Sequence, residues 1–108
     1  MRIGIVGGLG RAEPLFAQLA AAAGHEALFH DGSMSASGVR GLLRVLERAD
    51  LVLLLTDVNS HGAVRHARQI LRVRGRSPVL MRRCGSARFA ALLAALQARA
   101  DFAGAQAS

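Results

Sequence analysis

The chain has 108 residues, the size of one domain, so we expect no separate substrate-binding domain. It is 52% hydrophobic, has a net charge of +7, and owes that charge to 14 arginines with no lysine. Its apolar runs fall far short of the roughly 20 residues that cross a bilayer, and its single cysteine excludes an internal disulfide. These features predict a cytoplasmic domain without a membrane span that favours anionic partners.

Strand and helix patterns alternate along the first half of the chain. An apolar strand is predicted over 2–6 and a helix over 12–23, which ends at Gly24. A second strand over 26–29 precedes an amphipathic helix over 36–48, whose apolar and arginine-bearing sides face opposite directions.

The second half continues this alternation. Residues 51–55 are all apolar, as expected of a strand that helices cover on both faces. Ser60 is predicted to cap a helix that runs to about Arg74. A fourth strand follows over 78–81, and a last helix carries an apolar stripe made by Phe89, Leu92, Leu93 and Leu96.

Four strand and helix units predict an α/β fold, a small doubly wound, four-stranded parallel sheet in the order 2-1-3-4 with helices on both faces. This arrangement is about half of a Rossmann-like dinucleotide-binding fold. We expect one domain over 1–101 and a flexible C-terminal tail over 102–108. The outer elements have no flanking strands, and the apolar content is high for so small a domain, so we also expect a homodimer.

Each predicted strand ends in a loop that carries chemically capable side chains. In a parallel sheet these loops meet at the carboxyl edge, where ligands bind. The candidate binding residues are Gly8, Arg11, His30, Asp57, His61, Arg82, Arg83 and Cys84. The sequence thus predicts where a ligand binds more clearly than which ligand it is.

The first loop resembles a nucleotide-binding turn only in part. Gly8 and Gly10 supply a Gly-x-Gly pair, but Glu13 stands where the third glycine of a dinucleotide fingerprint belongs. A tight turn that packs the helix on the strand explains these glycines equally well. Asp57 stands at the position of a phospho-accepting aspartate, but the acidic pair and lysine that this chemistry needs are absent from the sequence.

Two side chains have the chemistry of a metal ligand. His61 falls in the first turn of a predicted helix, where the helix dipole disfavours protonation and leaves the imidazole available to a metal. Cys84 follows two arginines and precedes a predicted helix N-terminus, a setting that favours a reactive or metal-binding thiolate. The alternatives are a capping role for the histidine and a partly buried structural role for the cysteine.

The ordered motifs of the chain resemble the bacterial domain-of-unknown-function family 2325 over residues 3–96. They are Val6-Gly7-Gly8, His30-Asp31-Gly32, and Ala49-Asp50-Leu51-Val52 leading to Thr56-Asp57 and Ser60-His61. Members of that family usually have asparagine after the Ser-His pair and a cysteine with lysine in the third helix. Here Gly62 follows His61, and Ile70 and Leu71 occupy that part of the helix.

The resemblance implies a haemoprotein, a homodimer that holds haem b noncovalently and senses or carries a diatomic gas such as O2. His61 is the first choice of axial iron ligand, His30 the second and Cys84 the third. The haem propionates would pair with Arg11, Arg82 and Arg83.

Two other functions stay open. A regulatory module would bind a nucleotide or another phosphorylated small molecule at the carboxyl edge of the sheet. Nucleic-acid binding would use two arginine stripes, but we expect these to be solvated outer faces, since Trp, Tyr and any known reading motif are absent. The stripes are Arg40, Arg44 and Arg48, and Arg65, Arg68, Arg72 and Arg76. Catalysis stays open, since His61, Asp57 and Cys84 could converge at this edge, but the residues do not assign a reaction and binding is the expectation.

Overall fold

Four parallel strands form the centre of the protein, in the order β2-β1-β3-β4. The computed structural model describes residues 1–57 and 59–107. The elements in chain order are β1 (Arg2–Val6), α1 (Glu13–Ala22), β2 (Glu26–His30), α2 (Ala36–Arg48), β3 (Leu51–Leu55), α3 (His61–Val73), β4 (Val79–Met81) and α4 (Ser86–Ala107). The predicted α/β class and strand order are confirmed.

Two helical layers cover the two faces of the sheet, because successive side chains of a strand point to opposite faces. Ile5 and Leu53 pack towards α1 and α4, where the rings of Phe16 and Phe89 stack with centroids 4.7 Å apart. The second set of side chains packs towards α2 and α3 and comprises Val6, Val52 and Leu54 of the strands with Leu42, Leu46, Ala67 and Leu71 of the helices. We call these the α1/α4 layer and the α2/α3 layer. The central strands therefore have no free face.

The ends of several elements differ from the sequence prediction: α1 and β4 are shorter by one or two residues, and β2 and α4 are longer. β2 includes His30, one residue further than expected, because its pairing with β1 continues to Val6. α4 continues to Ala107, so residues 102–107 are helical where a tail was expected. Alanine is the best helix former, and the Gln97 side chain donates a hydrogen bond across one turn to Asp101 at 2.9 Å.

No helix in the described part of the chain is both long and apolar enough to cross a membrane.

Candidate functional site

The predicted site residues lie in the loops at the carboxyl edge of the sheet, but they do not form one site. His61 opens onto a cleft beside α3, whereas His30 is buried at the end of β2. Asp57, Arg82 and Arg83 form an ion-pair cluster. Their chemistry therefore has to be judged separately.

Both ring nitrogens of His30 are already engaged by backbone groups. The Gly32 amide donates to Nδ1 at 3.0 Å, and Nε2 donates to the Gly38 carbonyl at 2.7 Å. Because an amide can only donate and a carbonyl can only accept, these partners fix the neutral tautomer with its hydrogen on Nε2. His30 thus fastens the loop between β2 and α2, and iron ligation would require it to give up one of these bonds.

The loop before α3 is held by a side chain that sequence reasoning missed. The Asn59 amide donates to the carbonyl of Val6 at 3.1 Å and to that of Leu55 at 2.8 Å, so it joins the ends of β1 and β3. Its oxygen accepts from the Ser60 amide at 2.9 Å. A single asparagine in a loop produces no periodic pattern in the sequence. The signal that could have identified Asn59 is its position just after a predicted strand, at the carboxyl edge of the sheet.

Ser60 connects this loop to the loop that follows His30. Its hydroxyl accepts from the Ala63 amide at 3.0 Å, which confirms the predicted N-cap of α3, and donates to the Gly32 carbonyl at 2.9 Å. Gly32 has φ +88, and a Cβ there would collide with the Asn59 side chain. Glycine is therefore required where the two loops meet, and the start of α3 is fixed in place.

His61 is the first residue of α3, and its side chain is exposed. Within residues 1–57 and 59–107, its ring makes no side-chain hydrogen bond. It borders a cleft of about 610 Å³ lined by Thr56, Ser60, His61, Val64, Arg65, Arg68, Gln69 and Arg72. Along α3, the three arginines follow His61 in successive steps of four, three and four residues. This spacing places them on one flank of the helix. The cleft thus joins a free imidazole to a row of guanidinium groups.

The predicted propionate partners Arg82 and Arg83 do not line this cleft. The Nε atom of Arg82 lies 3.6 Å, and that of Arg83 3.4 Å, from carboxylate oxygens of Asp57. The loops are also tied by the backbone, since the Asp57 amide donates to the Arg82 carbonyl at 2.9 Å. The Asp57 carboxylate offsets part of the charge of the two exposed arginines. This cluster therefore attracts an anion less strongly than the three arginines of the His61 cleft do.

Of the two roles that the sequence leaves open for Cys84, the structure favours the structural one over a reactive thiolate. The side chain is buried against the α1/α4 layer, in the same apolar cluster as Ile3, Phe16 and Phe89. Burial raises the pKa of the Cys84 thiol above its ordinary value, and the nearby Arg88 lowers it by less. Desolvation therefore outweighs the Coulombic effect of Arg88, while Arg82 and Arg83, which precede Cys84 in the sequence, pair with Asp57.

The glycine loop after β1 offers weak support for phosphate binding. Gly8 and Arg11 are exposed, and a short 3-10 turn over Gly10–Ala12 separates the loop from α1. Glu13 occupies the first turn of α1, so its carboxylate already supplies the negative charge that the helix N-terminus attracts. It also borders a second cleft, of about 390 Å³, together with His30, Asp31 and several serines. A phosphate at this turn would therefore meet a carboxylate.

The donors in the His61 cleft fit haem better than a bare metal ion. Among the described residues, no three side chains of the types His, Cys, Asp and Glu are grouped to hold a metal ion. Haem needs only an axial ligand from the protein, because the porphyrin supplies the other nitrogens. His61 can act as that ligand, and the arginine row can pair with the propionates. Val64 is the one aliphatic side chain among the lining residues, so one copy covers only part of the ring.

Comparison with known proteins agrees with the resemblance found in the motifs. No curated protein and no solved structure matches the chain. A family model described as an uncharacterized protein conserved in bacteria (DUF2325) matches residues 2–96, from β1 into α4. The chain belongs to this bacterial family, DUF2325.

Proposed function

We propose that the protein binds haem b as a homodimer, with His61 as the axial iron ligand in the cleft beside α3. The observation that carries this proposal is the exposed imidazole at one end of a row of three arginines in a single cleft. The imidazole would hold the iron, and Arg65, Arg68 and Arg72 would neutralise the two propionates. When bound, haem would supply an iron coordination position for a diatomic gas such as O2.

The openness of this cleft supports a dimer. Haem presents two broad apolar faces, and the aliphatic part of the lining is limited to Val64. β4 is an edge strand, and its Leu80 pairs with Leu54, which faces the α2/α3 layer. Leu80 is 47% exposed, so α3 leaves this part of the sheet uncovered. A second copy placed over β4 would bury Leu80 and close the haem cleft.

The free, buried Cys84 is consistent with a reducing compartment, and we place the protein in the cytoplasm.

Titration with haemin, followed by ultraviolet and visible spectroscopy, tests the proposal. We expect a sharp Soret band with the wild type and a lost or shifted band with His61→Ala. His66→Ala is the matched control, because His66 lies on the same helix about 140° around from His61. Size-exclusion chromatography with and without haemin measures the dimer. Broad free-haemin absorbance in both the wild type and His61→Ala would reject the haem proposal.

A second candidate is the binding of a nucleotide or another phosphorylated small molecule in the same cleft. The observation in its favour is that the lining is mostly polar, with arginines beside Ser60 and Gln69. Arginine recognises phosphate through paired hydrogen bonds, and a compact anion needs no apolar cover. Thermal melting with pyrophosphate is expected to raise Tm in the wild type and to leave Arg68→Gln unchanged. A pyrophosphate effect without a Soret band would favour this candidate over haem.

A further inference from the structure

The two helical layers differ sharply in charge. α1 and α4 together carry two arginines, one glutamate and one aspartate, so their charges balance. α2 and α3 carry six arginines and one glutamate. The six are Arg40, Arg44 and Arg48 on α2 and Arg65, Arg68 and Arg72 on α3. The positive charge of the chain is therefore concentrated on one face of the sheet, and composition alone does not reveal this.

The six arginines of this face are exposed, and none is within ion-pair distance of a carboxylate in the described ranges. The one glutamate of the layer, Glu47, pairs instead with Arg74 just after α3, at 3.3 Å. Arg76 is likewise occupied, since its guanidinium donates to the carbonyls of Leu46 and Ala49. These two arginines join the helices to each other, while the six remain available to an external anion.

The chemistry of the face favours a polyanion held by charge. Apart from Val73, which is 82% exposed, the large apolar residues of both helices, such as Leu46 and Leu71, are buried or partly buried, so the outer surface has no continuous apolar stripe to insert into a bilayer. Arginines recur every three or four residues, about 5 to 6 Å apart along each helix axis. A nucleic-acid backbone presents regularly repeated negative charge at high density, which guanidinium groups contact without reading bases.

We infer that the α2/α3 layer binds the phosphate backbone of duplex nucleic acid without sequence preference. The sequence alone led us to expect solvated stripes, and the new observation is that both stripes lie in one layer that holds a single, already paired carboxylate. The inference does not depend on haem, because Arg40 and Arg44 do not line the cleft of His61.

Fluorescence anisotropy with a labelled duplex of random sequence tests this inference on the full chain. Affinity is expected to fall at least tenfold between about 50 mM and about 200 mM salt. The double variant Arg40→Gln, Arg44→Gln is expected to bind about tenfold more weakly at the lower salt and to reduce the salt slope by about 2. The matched control Arg88→Gln, Arg99→Gln removes the same charge from α4 and is expected to change affinity less than about twofold.

Three results would overturn the inference. One is equal weakening by the two double variants, which would mean that only net charge matters. Another is the absence of duplex binding at the lower salt, and the third is tighter binding to vesicles that contain phosphatidylglycerol than to the duplex. Circular dichroism establishes that both variants are folded. A haemin titration of Arg40→Gln, Arg44→Gln is expected to match the wild type, which separates this inference from the haem proposal.

Discussion

His30, the last residue of β2, and His61, the first residue of α3, lie beside adjoining loops at the same edge of the sheet, yet their imidazoles have opposite surroundings. The ring of His30 is buried and bonded at both nitrogens, whereas that of His61 is exposed beside a cleft. The loops are linked through the hydroxyl of Ser60 and the carbonyl of Gly32. A histidine at the ligand-binding edge of the sheet is therefore not always able to act as an iron ligand. The hydrogen bonds that a ring already makes determine whether it is available.

Removal of the His30 ring is expected to have the largest effect on stability. His30→Ala leaves a cavity and takes the partners away from the Gly32 amide and the Gly38 carbonyl. We expect the free energy of unfolding to fall by about 3 kcal/mol, measured by urea denaturation. His61→Ala is the control and is expected to stay within about 0.5 kcal/mol of the wild type, because its ring is exposed. Equal losses in the two variants would contradict the contrast between these histidines.

Asn59 is expected to follow in the size of its effect. Asn59→Ala removes the amide that joins the carbonyls at the ends of β1 and β3, and we expect a loss of about 2 kcal/mol in urea denaturation. Thr56→Ala is the control from the same loop, because among the described residues the exposed Thr56 hydroxyl makes one long bond, at 3.4 Å, to the carbonyl of Met81. A loss at Thr56 as large as that at Asn59 would show that the loop, and not the asparagine amide, determines stability.

The Ser60 hydroxyl has two roles that substitutions can separate. Ser60→Ala loses both the N-cap of α3 and the bond to Gly32, and we expect a loss of about 1 kcal/mol. Ser60→Asp keeps an acceptor for the cap but has no hydrogen to donate to the Gly32 carbonyl. It should recover the helix contribution in thermal melting and still loosen the connection between the loops. Amide hydrogen exchange at Gly32 then measures that loosening, and unchanged exchange in Ser60→Asp would contradict the connection.

Local patterns in the sequence were sufficient to predict the framework. The all-apolar strand at residues 51–55, the amphipathic helices and the Ser60 cap depend on neighbours within a few positions. The state of Cys84 depends on packing between separate elements, and that of His30 depends on how the chain turns back after β2, since its two partners lie only two and eight residues along the chain. His30 meets a backbone carbonyl of α2, and Cys84 meets Phe16 of α1 and Phe89 of α4. The arginines beside Cys84 in the sequence suggested a thiolate. Sequence adjacency, however, does not show which way the thiol points.

Cys84, the third predicted ligand, provides the smallest expected effect and a direct measure of burial. Because burial raises its pKa in the folded protein, the unfolded chain releases the thiol proton at lower pH than the folded one. Stability is therefore unaffected by this group well below its ordinary pKa and decreases as the pH rises through that value. We expect the wild type to lose stability faster than Cys84→Ala between about pH 8 and about pH 10 in urea denaturation.

The comparison of slopes isolates the thiol, because Cys84→Ala shares every other titrating group and its own packing defect shifts the curve without tilting it. Iodoacetamide supplies an independent check, since only the thiolate reacts and the buried sulfur is shielded. Alkylation of the native protein should be slower than that of the urea-unfolded chain at the same pH. Rapid alkylation of native Cys84, together with parallel pH slopes, would mean that the thiol is accessible. It would then return as a candidate iron ligand beside His61, while His30 remains held by its two backbone bonds.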